Sequence, residues 1–300
     1  MNKTLSIGTR GSPLALVQAQ SVARAIEVAN DGISVEVRIV KTKGDTVHDV
    51  SLETFGGEGV FVKELERALL EEEIDLAVHS LKDLPTTLPD GLVIASVPER
   101  IDARDALVSK NGYKFEQLPE GAVVATGSIR RRTQLQYSRP DLTFTGIRGN
   151  IDTRLKRLKE ENGPDAIILA VAGLHRLGWL DKVTQILSPD LCMPAVGQAA
   201  LAIETRLDDL LPLEAAQRIE HHPSRLAVTA ERSFLHGIGG GCHSPVGAWG
   251  RVEKGLFKLD AVVGTNDGSE IIRHSTDGKP EDAQNLAIQL AKLILVQGRN

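Results

Sequence analysis

The sequence predicts an α/β protein made of two similar α/β domains followed by a small α+β tail. Three observations carry that expectation. Strand-like and helix-like segments alternate through the N-terminal third, the pattern of a parallel sheet with helices packed against it. The first turn of that run, Thr9-Arg10-Gly11-Ser12, is echoed at Thr126-Gly127-Ser128-Ile129-Arg130, inside a second alternating run. This weak internal repeat suggests two similar domains facing a shared cleft. Beyond Pro212 the pattern changes to two helices, three strands and a closing helix.

In order, Leu5 to Thr9 reads as a short strand. Ser12 is a good N-cap and Pro13 sits where a first helical turn tolerates proline. Leu14, Val17, Val22, Ala25 and Ile26 then recur at helical spacing, and Ile33 to Val40 alternates as a strand. Residues 41–58, rich in Gly, Asp, Thr and charge, are long for a connection and read as mobile. The next helix places Phe61, Val62, Leu65, Ala68 and Leu69 on one face and Lys63, Glu64, Glu66 and Arg67 outside. Ile74 to Ser80 is a strand leading into Leu81-Lys82-Asp83-Leu84-Pro85, with His79 expected as a packed core histidine.

Around residues 100–104 charge clusters and the second run begins. Ala122 to Thr126 is a strand, Ser128 opens a helix, Leu142 to Ile147 is a strand, and Asn150 opens a helix ending near Glu161. Asp165 to Ala170 and a short helix through Leu177 complete it. In the tail, Leu213 to Glu220 and Ser224 to Leu235 are helical. Val246 to Arg251, Leu256 to Val263 and Glu270 to His274 are strands, the last two joined by a turn at Asn266-Asp267-Gly268. A final helix carries Ala283, Leu286, Ala287, Leu290, Ala291 and Ile294 on one side.

The 300-residue length suffices for two or three cores. A net charge of −5 gives no general attraction to nucleic acid or anionic membrane, and only 3% of residues are aromatic, so packing rests on aliphatic side chains. The basic residues also lack interleaved aromatics, which disfavours a single-strand stacking surface. Two cysteines, Cys192 and Cys242, suggest neither a disulfide framework nor a cysteine metal site. The N-terminal residues enter a strand pattern with no apolar signal core, and no run is apolar enough to span a membrane. The expectation is a cytoplasmic protein.

Chemistry concentrates at three places. Residues 130–159 hold seven Arg and two Lys against two Asp, a local +7 in an acidic chain. Arg130, Arg131, Arg148 and Arg154 fall at or near strand-to-helix turns, where helix N-termini favour anions and where open α/β sheets gather ligands. Arg10 and Ser12 hold the equivalent turn of the first run. Together they predict a large polyanionic ligand, because Arg pairs bidentately with carboxylate or phosphate. The outward Lys156 and Lys159 read as a solvated face. Asp83, beside Lys82, is the best acid–base candidate, with a loop or N-cap aspartate as the plain alternative. Finally, His236 to Pro245 presents Cys242 after three glycines, as a nucleophile, an attachment point or an incidental buried thiol.

These segments, taken together, resemble the porphobilinogen deaminase (hydroxymethylbilane synthase) family of tetrapyrrole biosynthesis over essentially the whole chain. The motifs are Thr9 to Ala15, Phe61 to Glu66, His79 to Pro85, Arg148 to Arg154, Leu169 to Leu174, Pro194 to Gln198 and Gly240-Gly241-Cys242, and their order and spacing are specific. The resemblance implies a transferase that condenses four porphobilinogen molecules, with loss of ammonia, on a dipyrromethane primer joined to Cys242 through a thioether. It implies that Asp83 assists departure of the amine and stabilises azafulvene-like cations. Lys82, Asp83, Ser128, Arg130, Arg131 and Arg148 would hold the cofactor, and Arg10, Ser12, Arg148, Arg154 and Arg176 the acetate and propionate groups of substrate, with no metal. Two periplasmic-binding-protein-like domains and the tail domain follow by the same resemblance, divided as 1–100 with 196–218, 101–195 and 219–300. So does a monomer acting on porphobilinogen, without nucleic acid or membrane.

Two departures from the family pattern stand out. Glu58, in Gly57-Glu58-Gly59-Val60-Phe61, opposes an anionic substrate, so that loop is given no carboxylate-binding role. Ala199 replaces the glycine usual in Gly-Gln-Gly. Two rival readings are a non-catalytic anion-binding protein of the periplasmic type and a cysteine hydrolase using Cys242 with His243.

Overall fold

A computed structural model describes residues 3–40, 62–241 and 244–298. The chain divides into two compact units, Met1–Arg100 with Ala200–Arg225, and Ile101–Ala199 with Leu226–Asn300.

The first unit is built on β1 (Lys3–Thr9), α1 (Pro13–Ala29), β2 (Ile33–Ile39), α2 (Lys63–Leu70), β3 (Leu76–Ser80), β4 (Leu92–Ser96), β10 (Leu201–Arg206) and α6 (Leu210–Gln217), labelled in chain order. Its sheet runs β2-β1-β3-β10-β4. β1 is parallel to β2 and β3, while β10 is antiparallel to both β3 and β4. The wholly parallel sheet expected from the alternation is therefore corrected to a mixed one. The cause is the return of residues 200–206, which insert a distant strand between β3 and β4. One face packs Leu5, Ile7, Val22, Ile26 and Ile203 together, and the other packs Leu65, Leu69, Ile74 and Ala77. Each such aliphatic side chain, fully buried, contributes about 1.5–3 kcal/mol.

Glu66 departs from the expected helix pattern. The helical pattern puts it on the outer face of α2, yet it is buried along with Leu65, Ala68 and Leu69. Polarity alone assigns a glutamate to solvent. Here the face it meets carries His79 and Glu204, both themselves buried.

The second unit repeats the arrangement with β5 (Asp105–Ser109), β6 (Val123–Ala125), α3 (Ile129–Ser138), β7 (Thr143–Thr145), α4 (Ile151–Leu158), β8 (Ala166–Ala170), α5 (Val171–Arg176) and β9 (Gln185–Ile186). Its strand order, β7-β6-β8-β5-β9, matches the first sheet strand for strand. β6 is parallel to β7 and β8, and β5 is antiparallel to β8. The two sheets are thus periplasmic-binding-protein-like, and the Thr9 and Thr126 turns follow equivalent strands.

The same unit holds a three-stranded antiparallel meander of β11 (Val246–Glu253), β12 (Leu256–Gly264) and β13 (Ile271–Gly278), covered by α7 (His222–Ile238) and α8 (Ala283–Gln297). Phe234, Phe257, Leu259, Ala287, Leu290 and Ile294 form its core. Glu231 of α7, fully buried, accepts the Gly197 and Gly250 amides, each at 2.7 Å. A buried carboxylate is tolerable because those two amides replace the water it loses.

Candidate functional site

In the first unit the candidate side chains sit where strands end. Ser12 caps α1, its Oγ accepting the Ala15 amide at 3.3 Å, and Arg10 beside it is half-buried. β3 ends in a single 3-10 turn, Leu81–Asp83, in which Leu81 is buried, Lys82 half-buried and Asp83 exposed. The buried Leu81 and its amide, which donates to Ala200 O at 3.0 Å, fix the turn that carries half-buried Lys82 and exposed Asp83. Because β1 and β3 are parallel neighbours, their carboxyl ends share one sheet edge. That edge is where open α/β sheets place ligands.

Beneath it lies a buried cluster that sequence reasoning missed. His79 Nε2 is 2.9 Å from Glu204 Oε2, an ion-pairing distance without hydrogen-bond alignment. Burial, and then the charge of Glu204, push the nearby Glu66 carboxyl above its ordinary range, against the pull of His79 and Lys63. The clue in the sequence was a glutamate inside the otherwise apolar Leu201-Ala202-Ile203-Glu204.

In the second unit, β6, β7 and β8 run parallel, so the elements after them also start from one edge. Ser128 caps α3, accepting the Arg131 amide at 3.5 Å. Arg130 and Arg131, in the first turn of α3, are buried at 4% and 5% exposure. Both converge on Asp105, which is fully buried and was not singled out from the sequence. Arg130 Nη1 donates to Asp105 Oδ2 at 2.8 Å, while Arg131 Nε and Nη2 donate to Oδ1 at 3.1 and 2.7 Å. Gln198 Nε2 adds a further bond to Oδ1 at 2.8 Å, and the Cys192 thiol contacts Oδ2 at 3.4 Å. Burial alone would raise the Asp105 carboxyl, but the two guanidinium charges outweigh it and hold it far below the usual range. Burial, then the Asp105 charge, push the Cys192 thiol up to about 12.

Arg148 is exposed in the β7–α4 turn, and Gly149 next to it has φ +99°. Asn150 stands at the N-cap of α4 without a side-chain cap bond, and half-buried Arg154 donates to Gly149 O at 2.8 Å. Lys156 and Lys159 are exposed, as a solvated face requires. Arg176 closes α5 and donates to Ala199 O at 2.7 Å. Loss of water pulls its guanidinium down to about 10, and no described carboxylate offsets that loss.

The expectations for Cys242 and His243, and for Glu58 and its loop, lie outside the described residues. The glycines before Cys242 have a local purpose. Gly239, at φ +70°, ends α7, with Gly239 N bonded to His236 O and Gly240 N to Leu235 O at 3.0 and 3.1 Å. That is the Schellman stop, which needs a residue without Cβ strain. Gly241 and Ser244 are joined by Ser244 N to Gly241 O and Gly241 N to Ser244 Oγ, both 3.0 Å. Among the described residues no group of three or more His, Cys, Asp or Glu could hold a metal ion.

The donor set therefore suits a group rich in carboxylates. Two buried guanidiniums share one carboxylate at Asp105, and Arg176 is desolvated without one. Fold and site define an α/β protein whose strand-end turns are furnished for anion recognition. Residues 5–212 match the family described as porphobilinogen deaminase, dipyromethane cofactor binding domain, and residues 225–296 match its C-terminal domain. Curated porphobilinogen deaminases are similar along nearly their whole length. That of Pelotomaculum thermopropionicum is 46% identical over 298 residues, covering 99% of this chain and 95% of its own. That of Brevibacillus brevis is 46% identical over 293 residues, covering 97% and 94%. The chain belongs to the porphobilinogen deaminase family, transferases that assemble a linear tetrapyrrole from porphobilinogen on a dipyrromethane cofactor.

Among solved structures, the periplasmic VFT2 domain of Bordetella pertussis BvgS superposes with TM-score 0.42 at 14% identity, covering 72% of this chain and 86% of that one. An arginine-specific periplasmic binding protein of Salmonella typhimurium gives TM-score 0.38 at 16% identity, with 72% and 90% covered. The fold class rests on strand order, not on these distant likenesses. No helix among the described residues is long and apolar enough to cross a membrane.

Proposed function

We propose that Cys242 carries the dipyrromethane through a thioether and that Asp83 is the acid–base residue of the condensation. When bound, the cofactor supplies the nucleophilic pyrrole end to which substrate units are added. Asp83 would hold a proton on a carboxyl oxygen for the departing amine and, once ionised, offset the positive charge left behind. Lys82, Ser128, Arg130, Arg131 and Arg148 would bind the cofactor's carboxylates, and Arg10, Ser12, Arg148, Arg154 and Arg176 those of porphobilinogen. The observation that carries this assignment is the surplus of buried positive charge around Asp105, where two guanidiniums meet one carboxylate.

The separate core under the β11–β13 sheet supports a tail domain. The division into 1–100 with 196–218, 101–195 and 219–300 is part of the same proposal, as are a monomeric state and a cytoplasmic location. The proposal is tested by intact mass. Purified protein should exceed its sequence mass by two linked pyrroles, and Cys242→Ser should remove the excess. An unmodified mass in active protein would refute the attachment.

A further inference from the structure

Asp105 opens β5 opposite Ala170, the last residue of β8. The antiparallel pairing thus sets its carboxylate at the sheet edge from which α3, α4 and α5 start. Both oxygens are engaged: Oδ2 by Arg130 and the Cys192 thiol, Oδ1 by Arg131 and Gln198. Arg131 is anchored further by Nη1 on Ile168 O at 3.0 Å.

Consecutive arginines with like charges would separate toward water if left alone. A carboxylate that merely neutralised a buried cation would need one arginine; this one gathers two, leaving a positive charge uncompensated in a region without solvent. Arg130 Nε is also buried there without an acceptor. An unfilled donor on a nearly inaccessible side chain is costly unless a partner arrives.

We infer that Asp105 is a positioning residue, its carboxylate presetting Arg130 and Arg131 as a rigid cationic pair for a cofactor carboxylate, with Gln198 holding it in place. This role presupposes that the two arginines bind the cofactor. Rigid donors aimed in advance cost no reorganisation when the anion binds, which is why the buried carboxylate is useful despite its desolvation. Gln198 also bonds Ala103 O at 2.7 Å, and its neighbour Ala199 receives Arg176. One short segment therefore braces Asp105 and a third candidate arginine.

The test is a double-mutant cycle on wild type, Asp105→Asn, Cys242→Ser and the double variant, read by intact mass and thermal unfolding. Wild-type mass is read first: protein without added pyrroles would overturn the parent proposal, independently of Asp105. With wild type loaded, Asp105→Asn is expected to carry about tenfold less cofactor after incubation with porphobilinogen, the loss of one charge-assisted hydrogen bond. In whatever fraction is loaded, the rise in Tm over the Cys242→Ser background is expected to shrink. Full loading, with equal Tm losses in the loaded and Cys242→Ser backgrounds, would show a purely structural carboxylate and overturn the inference. Should Asp105→Asn fail to fold, Gln198→Leu removes one bond to Asp105 without changing charge. It passes through the same cycle, with about threefold weaker loading expected and additivity again overturning the inference.

Discussion

The Cys192 thiol lies 3.4 Å from Asp105 Oδ2, wholly buried. With its proton held up to about 12, it presents no thiolate at neutral pH. Native protein at pH 8 should therefore leave Cys192 unmodified by iodoacetamide. In denaturant, protein with an occupied Cys242 should take up one equivalent, at Cys192, and protein stripped of cofactor should take up two. Peptide mapping distinguishes the sites. Rapid alkylation of native Cys192 would show that the Asp105 network opens to solvent.

Glu66 gives a pH-dependent signature. Its folded-state pKa is raised, so the neutral form is favoured on folding. Its contribution is complete below the ordinary glutamate range and is lost as pH rises through the raised value. Glu204, His79 and Lys63 face it, and Glu204 is the group that worsens its ionisation. Glu66→Gln, which mimics the protonated form, should raise Tm more at pH 7.5 than at pH 4.5. Melting curves at the two pH values check this; an equal shift at both would place the effect elsewhere.

Much of the fold was legible because local chemistry and tertiary context agree. Ser12 and Ser128 cap their helices, and the repeat at Thr9 and Thr126 marks equivalent turns of equivalent sheets. What escaped was non-local. The family resemblance implied that the chain returns to the first domain, but local pattern could not place β10 between β3 and β4, because Leu201 to Thr205 is buried throughout and no polar alternation marks it as a strand. Asp105 directly follows the charged stretch at 100–104 and has no local signal of its own, and only pairing with β8 brings it to Arg130 and Arg131. Glu66 misled for the same reason. Its partners come from two other strands, and a helical wheel cannot show them.

Gly149 is a point where the backbone limits the site. Its φ of +99° disfavours any L side chain, and an added Cβ would meet Thr153 Cβ and Cγ2 at 3.0 Å. Gly149→Ala should cost about 1–2 kcal/mol and disturb the turn that carries Arg148 and receives Arg154. Thermal unfolding measures the first effect. The second should appear as a higher KM for porphobilinogen. A stable variant with unchanged KM would mean that the turn tolerates the strain and that Arg148 does not depend on its shape.

Asp83 separates chemistry from stability most clearly. It is exposed at the end of a 3-10 turn whose fixed point is buried Leu81, so its side chain contributes little to packing. Asp83→Ala should change stability by less than about 0.5 kcal/mol, as surface substitutions usually do. If its carboxyl donates the proton and then balances the cation, ammonia release should fall about 10²–10⁴-fold. Asp83→Asn should fall comparably, because an amide keeps the shape and supplies neither the proton nor the charge. Asp83→Glu should recover part of the rate, since it restores the acid at a different reach. Ammonia release in single-turnover experiments with porphobilinogen provides the measurement, alongside intact mass to confirm that each variant is loaded. A loaded Asp83→Asn protein turning over at the wild-type rate would move the acid–base role to another residue. The same variant arriving unloaded would instead assign Asp83 to cofactor assembly.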